Sequence, residues 1–329
     1  MSKDIANALK FVIGAVARKD YVEALCHVEI KNGRAIAFDG LLSMSTPIDI
    51  GMQIRPHAKD FLKALQSCKD DTAISMHVTP AGRLSMKSGN FKVLVDCLPD
   101  EAPMDQPMPE GELIEVPDEL MVSIRTLAPL MAIDASRPWA RGLLLCGNST
   151  FATNNIVLAE YWHGANFPGE VIVPADAINE MLRIGKSPTH AQMTKNSVTF
   201  HYEGGRWLRT QLVDGDWPRE RVSALLDAGA QGGMTDVPQE FFAEVARLKP
   251  FVDESMGVRV FPDRVTTSTD EDAKGAVIEF DLPGGAGHYN LLQLLTLEGI
   301  AKKIDFTTSP NPCYWQGGRA RGVIIGRSD

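Results

Sequence analysis

Residues 169–218 read GEVIVPADAINEMLRIGKSPTHAQMTKNSVTFHYEGGRWLRTQLVDGDWP, and this stretch decides the fold. Its first five residues predict a short strand ending at Pro174, a residue suited to a first helical turn because its missing N–H costs nothing there. Ile178, Met181 and Leu182 then fall on one helical face, Glu180 and Arg183 fall outside that stripe, and Gly185 is a natural stop. After Pro188, Val198, Phe200 and Tyr202 alternate with polar residues. Glu203, Gly204 and Gly205 supply a turn, residues 206–213 a second strand, and residues 214–218 close the unit.

The same order of signals occurs earlier in the chain. Residues 51–56 predict a short strand ending at Pro56, followed by a helical face of Phe61, Leu62 and Leu65, a strand pattern, Gly89 and a closing Pro103. Pro56 and Pro174 are 118 residues apart, Phe61 and Ile178 117, Gly89 and Gly205 116, Pro103 and Pro218 115. That slow drift is what differences in loop length produce. A weaker third copy pairs residues 142–145 with 257–260, and Val116-Pro117 and Val237-Pro238 each open an amphipathic helix. A repeat of roughly 110 residues is a whole domain, not a solenoid unit. The expected architecture is α+β, with three tandem domains at 1–112, 113–232 and 233–329.

Composition fits three small cores. The chain has 329 residues, 44% hydrophobic and 23% charged, which is a globular balance too long for one ordinary core. It holds no apolar run long enough to span a membrane, and residues 1–7 lack the apolar core of a signal peptide. Five scattered cysteines with no C-x-x-C pair read as free thiols in a reducing cytoplasm.

In order, residues 3–18 predict an amphipathic helix with Ile5, Leu9, Val12, Ile13 and Val16 inward. Strands are expected at 23–30 and 34–38 around the turn at Asn32-Gly33. Residues 100–112, rich in proline and acid, read as a linker. The second domain opens with a helix at 117–132 and strands at 142–146 and 150–153. Residues 227–235 form a second, glycine-rich linker. The third domain offers a helix through Phe241, Phe242 and Val245, strands at 258–261, 265–268 and 276–281, a leucine-rich helix at 290–303 and a last strand at 322–325.

Motifs for catalysis are lacking. There is no nucleophile elbow, zinc-protease motif, phosphate loop or dinucleotide fingerprint. Gly284, Gly285 and Gly287 read as a loop, and the seven histidines show no metal-ligand spacing. Neither a metal nor a cofactor is expected, and no catalytic residue is assigned.

Residues 171–182 (VIVPADAINEML) and 206–218 (RWLRTQLVDGDWP) resemble the middle domain of bacterial β-type DNA polymerase sliding clamps. Residues 135–145 and 151–159 resemble the preceding part of that domain, and residues 257–262, 309–312 and 322–325 its third domain. The first domain matches more loosely, through residues 7–12, Pro56 and Pro103. The resemblance implies three clamp-type domains, each with two helices on two small antiparallel sheets. Two such chains would close head to tail into a ring around duplex DNA, helices inward, with no catalytic group. It also implies polymerase and clamp-loader partners that insert short apolar peptides between domains two and three, and no membrane partner. The divergence is compatible with a phage-borne clamp. Two other readings stay open: a clamp-like binding module that does not close a ring, and an enzyme of unrecognised type.

A net charge of −9 argues against a groove-reading DNA binder, so the distribution of charge matters more than its sum. Acidic residues gather in linkers and loops (Asp100, Glu101, Asp105, Glu110, Glu112; Asp270, Glu271, Asp272). By the resemblance, Lys19, Arg137 and Trp139 lie near DNA, with Lys10, Arg125, Arg183 and Lys303 on predicted helices. The partner pocket is expected from Thr153, Asn155, Ile156, Val157 and Leu158 on one wall. Pro218, Arg221 and Val222 form another, and Ile324, Ile325 and Arg327 the third. Here the chain departs from the family: Asn154-Asn155-Ile156-Val157-Leu158 stands where Asp-Gly-His-Arg-Leu is usual, and Ile324-Ile325-Gly326 where Met-Pro-Met is. The pocket should be more apolar as a result. Phe251 is the expected anchor of the subunit joint.

Overall fold

Helix α1 (Ser2–Val12) leads into strands β1 (Glu29–Lys31), β2 (Arg34–Phe38) and β3 (Leu42–Pro47), then helix α2 (Ala58–Gln66) and a meander of β4 (Ile74–Val78), β5 (Arg83–Ser88) and β6 (Phe91–Asp96). After β7 (Glu112–Glu115) the order recurs as α3 (Glu119–Leu127), the hairpin β8 (Gly142–Thr153) and β9 (Val157–Pro174), α4 (Ala175–Ile184), and a meander of β10 (His190–Met193), β11 (Ser197–Tyr202) and β12 (Arg206–Gln211). Helix α5 (Arg219–Gly229) and β13 (Thr235–Asp236) precede α6 (Phe241–Ala246), β14 (Gly257–Val260), β15 (Arg264–Thr266), β16 (Val277–Glu279) and β17 (His288–Asn290). Helix α7 (Leu291–Leu295) and a last meander, β18 (Lys303–Ile304), β19 (Cys313–Gly317) and β20 (Ala320–Ile324), complete the chain. Helix, strands, helix, meander thus comes three times. The computed structural model describes residues 2–69, 72–99, 106–133, 137–229, 233–268 and 274–328. Asp100, Glu101 and Asp105, Asp270–Asp272, and Ala135 and Ser136 of the family-like stretch lie outside these.

Two compact units result, Met1–Asp118 with Asp176–Leu212, and Glu119–Ala175 with Val213–Asp329. The first holds a seven-stranded sheet, order β1-β2-β3-β12-β11-β10-β7, and the three-stranded sheet β4-β5-β6. The second holds a six-stranded sheet, β13-β18-β19-β20-β9-β8, and a four-stranded sheet, β16-β15-β14-β17. Pairing is antiparallel throughout. The large sheets form because the last strand of one meander zips onto an earlier hairpin: β12 onto β3, with Trp207 opposite Ser45, and β20 onto β9, with Val323 opposite Leu158.

The core follows the sequence periodicities. Ile5, Leu9, Val12 and Val16 are buried, as are Phe61, Leu65, Ile178 and Met181. Gly89 and Gly205 sit in equivalent hairpin turns with φ of +59° and +70°, values that favour glycine.

Several expectations are corrected. Glu180 is buried, not outside the helical stripe. The first helix ends at Val12, followed by a 3₁₀ turn at Ile13–Ala15, so it does not reach residue 18. Glu23–Cys26 is 3₁₀ helix, and β3 follows where no strand was assigned. Residues 51–56 make only isolated bridges, Ile30 to Ile54 and Pro56 to Cys97. The two strands at 142–146 and 150–153 are one, β8, with register shifts around Gly147 (φ +52°). The strand at 169–173 is the end of the 18-residue β9. The helix expected at 290–303 is only Leu291–Leu295, and Gly299 at φ +75° turns the chain after it. Asp227–Gly229 of the expected linker belongs to α5, which buries Val222 and Leu226. Cys26, Cys68, Cys97, Cys146 and Cys313 are free thiols. Among the described residues no helix is long and apolar enough to cross a membrane, and no acidic, histidine or cysteine group is placed to hold a metal ion.

Candidate functional site

Strands β9 and β20 set the geometry of the expected partner pocket. Leu158 lies opposite Val323, and Val157 opposite Ile324. Successive side chains on a strand point to opposite faces, so these two pairs cannot share a wall. Leu158 and Val323 join a buried apolar cluster with Leu144, Cys146, Phe151, Ile172, Trp217, Val222 and Leu226. Val157 and Ile324 are fully buried on the other face. They belong to the core on that face, so the single wall expected for residues 155–158 and for 324–325 does not form.

Helix α5 covers this cluster. Pro218 leads into it, its carbonyl accepting from the Val222 amide at 3.0 Å, and Val222 packs inward while Arg221 stays exposed. Trp139, Val213, Leu225 and Tyr314 are partly buried around the margin. Ile156 and Ile325 stand at one end, 37% and 43% exposed, tied by the Ile325 amide donating to the Ile156 carbonyl at 2.9 Å. The exposed apolar area here is that of Ile156 and Ile325, while Leu158 and Val222 are each only 9% exposed. Burial pushes the Cys146 thiol pKa up, keeping this sulfur apolar in character.

The β8–β9 turn is built by its own side chains. Thr153 Oγ1 donates to the Val157 carbonyl (2.9 Å) and accepts from the Asn155 amide (3.0 Å). Asn154 Oδ1 accepts from the Ile156 and Val157 amides at 3.1 and 2.8 Å. Asn155 takes φ +74°, a left-handed value that asparagine tolerates better than most residues.

Two expected sites meet at this turn. Arg137 Nη1 donates to Asn155 Oδ1 at 3.0 Å, and its guanidinium lies 5.9 Å from the centroid of the Trp139 ring. Trp139 in turn packs edge to face on Trp217, centroids 4.9 Å apart. Arg137 and Trp139, expected near DNA, thus form one rim of the apolar cluster. Sequence reasoning missed Val323, Trp217, Ile172 and Leu226. Counting back two residues from Ile325 would have marked Val323.

The remaining cations are dispersed. Lys10 is exposed at the end of α1, and Lys19 is exposed in the loop after it. Arg125 is exposed on α3. Arg183 spends its donors locally, on both carboxylate oxygens of Glu180 (2.7 and 2.8 Å) and on the Lys10 and Phe11 carbonyls (2.9 and 2.7 Å). Lys303 lies in β18 and not on a helix, 3.6 Å from Asp236. Arg327 donates from Nη1 to the Ser255 carbonyl at 2.6 Å. Phe251 ends a short 3₁₀ helix with 55% of its surface exposed.

No protein-family model matches the chain, and no curated protein does. Solved structures do. The DNA polymerase sliding clamp of Pseudomonas aeruginosa superposes with a TM-score of 0.84 at 19% identity, over 100% of this chain and 98% of its own. That of Caulobacter crescentus gives 0.83 at 20% identity, and that of Bacillus subtilis 0.80 at 16%, with the same coverage. The fold of this chain is that of the bacterial sliding clamps, from end to end.

Proposed function

We propose that this protein is a non-enzymatic sliding clamp: two copies close head to tail around duplex DNA and tether polymerase and other replication proteins. Three domains, at 1–112, 113–232 and 233–329, make half of the ring, which acts in the cytoplasm.

The observation that carries this reading is a pairing made twice and left open once. The last strand of the second meander, β12, fills the edge of β3, and the last strand of the third, β20, fills the edge of β9. The corresponding strand of the first meander is β6, whose Asp96 end alone is taken on the outer side by the His57 amide, and the corresponding edge in the third repeat is β16; each is the outer strand of its sheet among the described residues. Both carry exposed apolar side chains, Leu94 at 49% and Val277 at 55%. An unfilled apolar edge is a template for another chain. If β6 of one copy takes β16 of the next, the same joint occurs at every domain boundary and a two-chain ring closes with no edge left unpaired at its joints. Phe251 belongs to the third-domain side of that joint.

A ring holds DNA by topology, so it needs only loose contacts to phosphate. Lys10 and Lys19 suit this role, with Arg125 as a further contact; Arg183 is better read as a structural residue. The partner groove is the apolar surface around Leu158, Val222, Ile156 and Ile325, with Trp139, Arg137 and Arg221 at its rim. A short peptide would be held by apolar anchors there.

The test is retention. The protein should sediment at twice the 35.9 kDa chain mass and, once loaded, stay on circular duplex but leave when that duplex is cut. Equal loss from circular and linear DNA would refute encirclement.

A further inference from the structure

A cleft of about 630 Å³ opens on the six-stranded sheet, lined among others by Trp162, Lys302, Lys303, Gln316, Arg319 and Arg321. Its volume is in the range of ligand-binding clefts. The registers build its floor: Glu160 lies opposite Arg321, Arg321 opposite Gln316, and Gln316 opposite Lys303, a polar row across four strands. Trp162 follows Leu158 and Glu160 at two-residue steps, which puts it on the same face. None of these residues is needed by the groove proposed above.

Two features distinguish the cleft from an ordinary charged surface. Trp162 leaves 49% of its area exposed, and the Arg319 guanidinium lies 4.7 Å from its ring centroid. With the guanidinium over one face of the indole, the other face is a platform on which a planar base can stack. The cations also differ in how firmly they are held. Arg321 is committed to Glu160 (2.7 Å) and Asp227 (2.9 Å). Lys303 and Arg319 have only long, exposed pairs, to Asp236 at 3.6 Å and Glu119 at 3.8 Å. Pairs of that kind hold weakly and are readily exchanged for phosphate. Lys302 is exposed and makes no ion pair among the described residues.

We infer that this cleft binds a single-stranded nucleic-acid segment without sequence preference, a base resting on Trp162 and the phosphates meeting Lys302, Lys303 and Arg319. A carboxylate-rich peptide would satisfy the cations but gives the indole nothing to stack on, so the single strand is favoured.

The probe is a labelled fifteen-residue oligothymidylate titrated into the full-length protein by fluorescence anisotropy. Trp162→Ala should weaken binding about five- to hundredfold, as loss of one stacked base does, while Trp162→Phe keeps most of it. Lys302→Ala should reduce the slope of log affinity against log salt by about 0.7. No binding to the wild type, or equal binding by Trp162→Ala, overturns the inference. So does an aspartate-rich peptide without aromatic residues that competes as well as the oligonucleotide. Dimer mass and retention on circular duplex, measured on the same Trp162→Ala protein, report the ring alone, so either idea can fail without the other.

Discussion

Arg183 grips the buried carboxylate of Glu180 and, with its other nitrogens, caps the end of α1 through the carbonyls of Lys10 and Phe11. The last carbonyls of a helix have no partner within it, and an arginine fork is suited to supplying one. Gly14 makes room for the pair, since a Cβ there would lie 1.9 Å from Glu180 Oε1. This contact fastens α1 to α4 within the first unit.

Removing the guanidinium should therefore cost stability before anything else. Breaking a fully buried pair costs roughly 3–5 kcal/mol; the Arg183 side chain is 41% exposed, so Arg183→Ala should cost about 2 kcal/mol. Urea denaturation measures this directly. Arg183→Lys should recover only part of the loss, because an ammonium cannot reproduce the fork. Gly14→Ala should also destabilise, by forcing Glu180 out of place. An unchanged urea midpoint in Arg183→Ala would show that the exposed face of this residue is what matters.

The split between Ile324 and Ile325 separates folding from partner binding. Ile324 is fully buried and Ile325 is 43% exposed. Ile324→Ala should cost about 3 kcal/mol of stability. Ile325→Asp should leave stability within about 0.5 kcal/mol of the wild type, and should weaken a partner peptide by at least about tenfold, as loss of an anchoring contact does. Calorimetric titration with a short apolar peptide, alongside thermal melts of both variants, checks the pair. A stable Ile325→Asp protein with full peptide affinity would remove this residue from the groove.

What was legible in the sequence followed from periodicity. The repeat was visible because Pro56 and Pro174, and Gly89 and Gly205, are punctuation that backbone geometry demands. The buried faces of α1, α2 and α4 were visible because their apolar spacing is helical. Glu180 was misplaced because the segment that packs on its carboxylate, around Gly14, is more than 160 residues away in sequence. The length of β9 was missed because Gly164 and Pro168, residue types that usually interrupt strands, lie within it where it pairs on β8 with shifted register. Of the residues expected to line a pocket, Val157 and Ile324 turn inward, an alternation set by the pairing of β9 with β20, which the sequence does not display.

His163 gives the fold an acid-sensitive element. Its Nδ1 accepts from the Ala165 amide at 3.0 Å, and burial lowers its pKa from 6.5 to about 4, an effect the Ser149 backbone partly offsets. Below pH 6.5 the unfolded chain takes up a proton that the folded chain refuses. Stability should therefore fall as pH drops from 6.5 towards 4 and level off beneath it, by at most about 3 kcal/mol from this group. Burial lowers His27 and His201 as well, so they act in the same direction. Urea midpoints at pH 7 and pH 5 should differ less in His163→Gln than in the wild type, and an identical difference would exonerate this histidine.

The open edges offer the sharpest test of ring closure, because strand alternation says which amides face outward. Asp96 accepts from the His57 amide on the side of β6 away from β5, so Leu94, two residues earlier, also turns its backbone groups outward. On β16, the amide of Phe280 donates to Asp263 on the β15 side, which leaves Glu279 facing out. Proline cannot donate to a ladder. Leu94→Pro and Glu279→Pro should each remove a bond only to a second copy, giving a folded protein of monomer mass with unchanged circular dichroism. Val93→Pro, whose amide points inward to β5, should instead disrupt the three-stranded sheet itself. If Leu94→Pro and Glu279→Pro both remain dimers by sedimentation, β6 and β16 are not the joint.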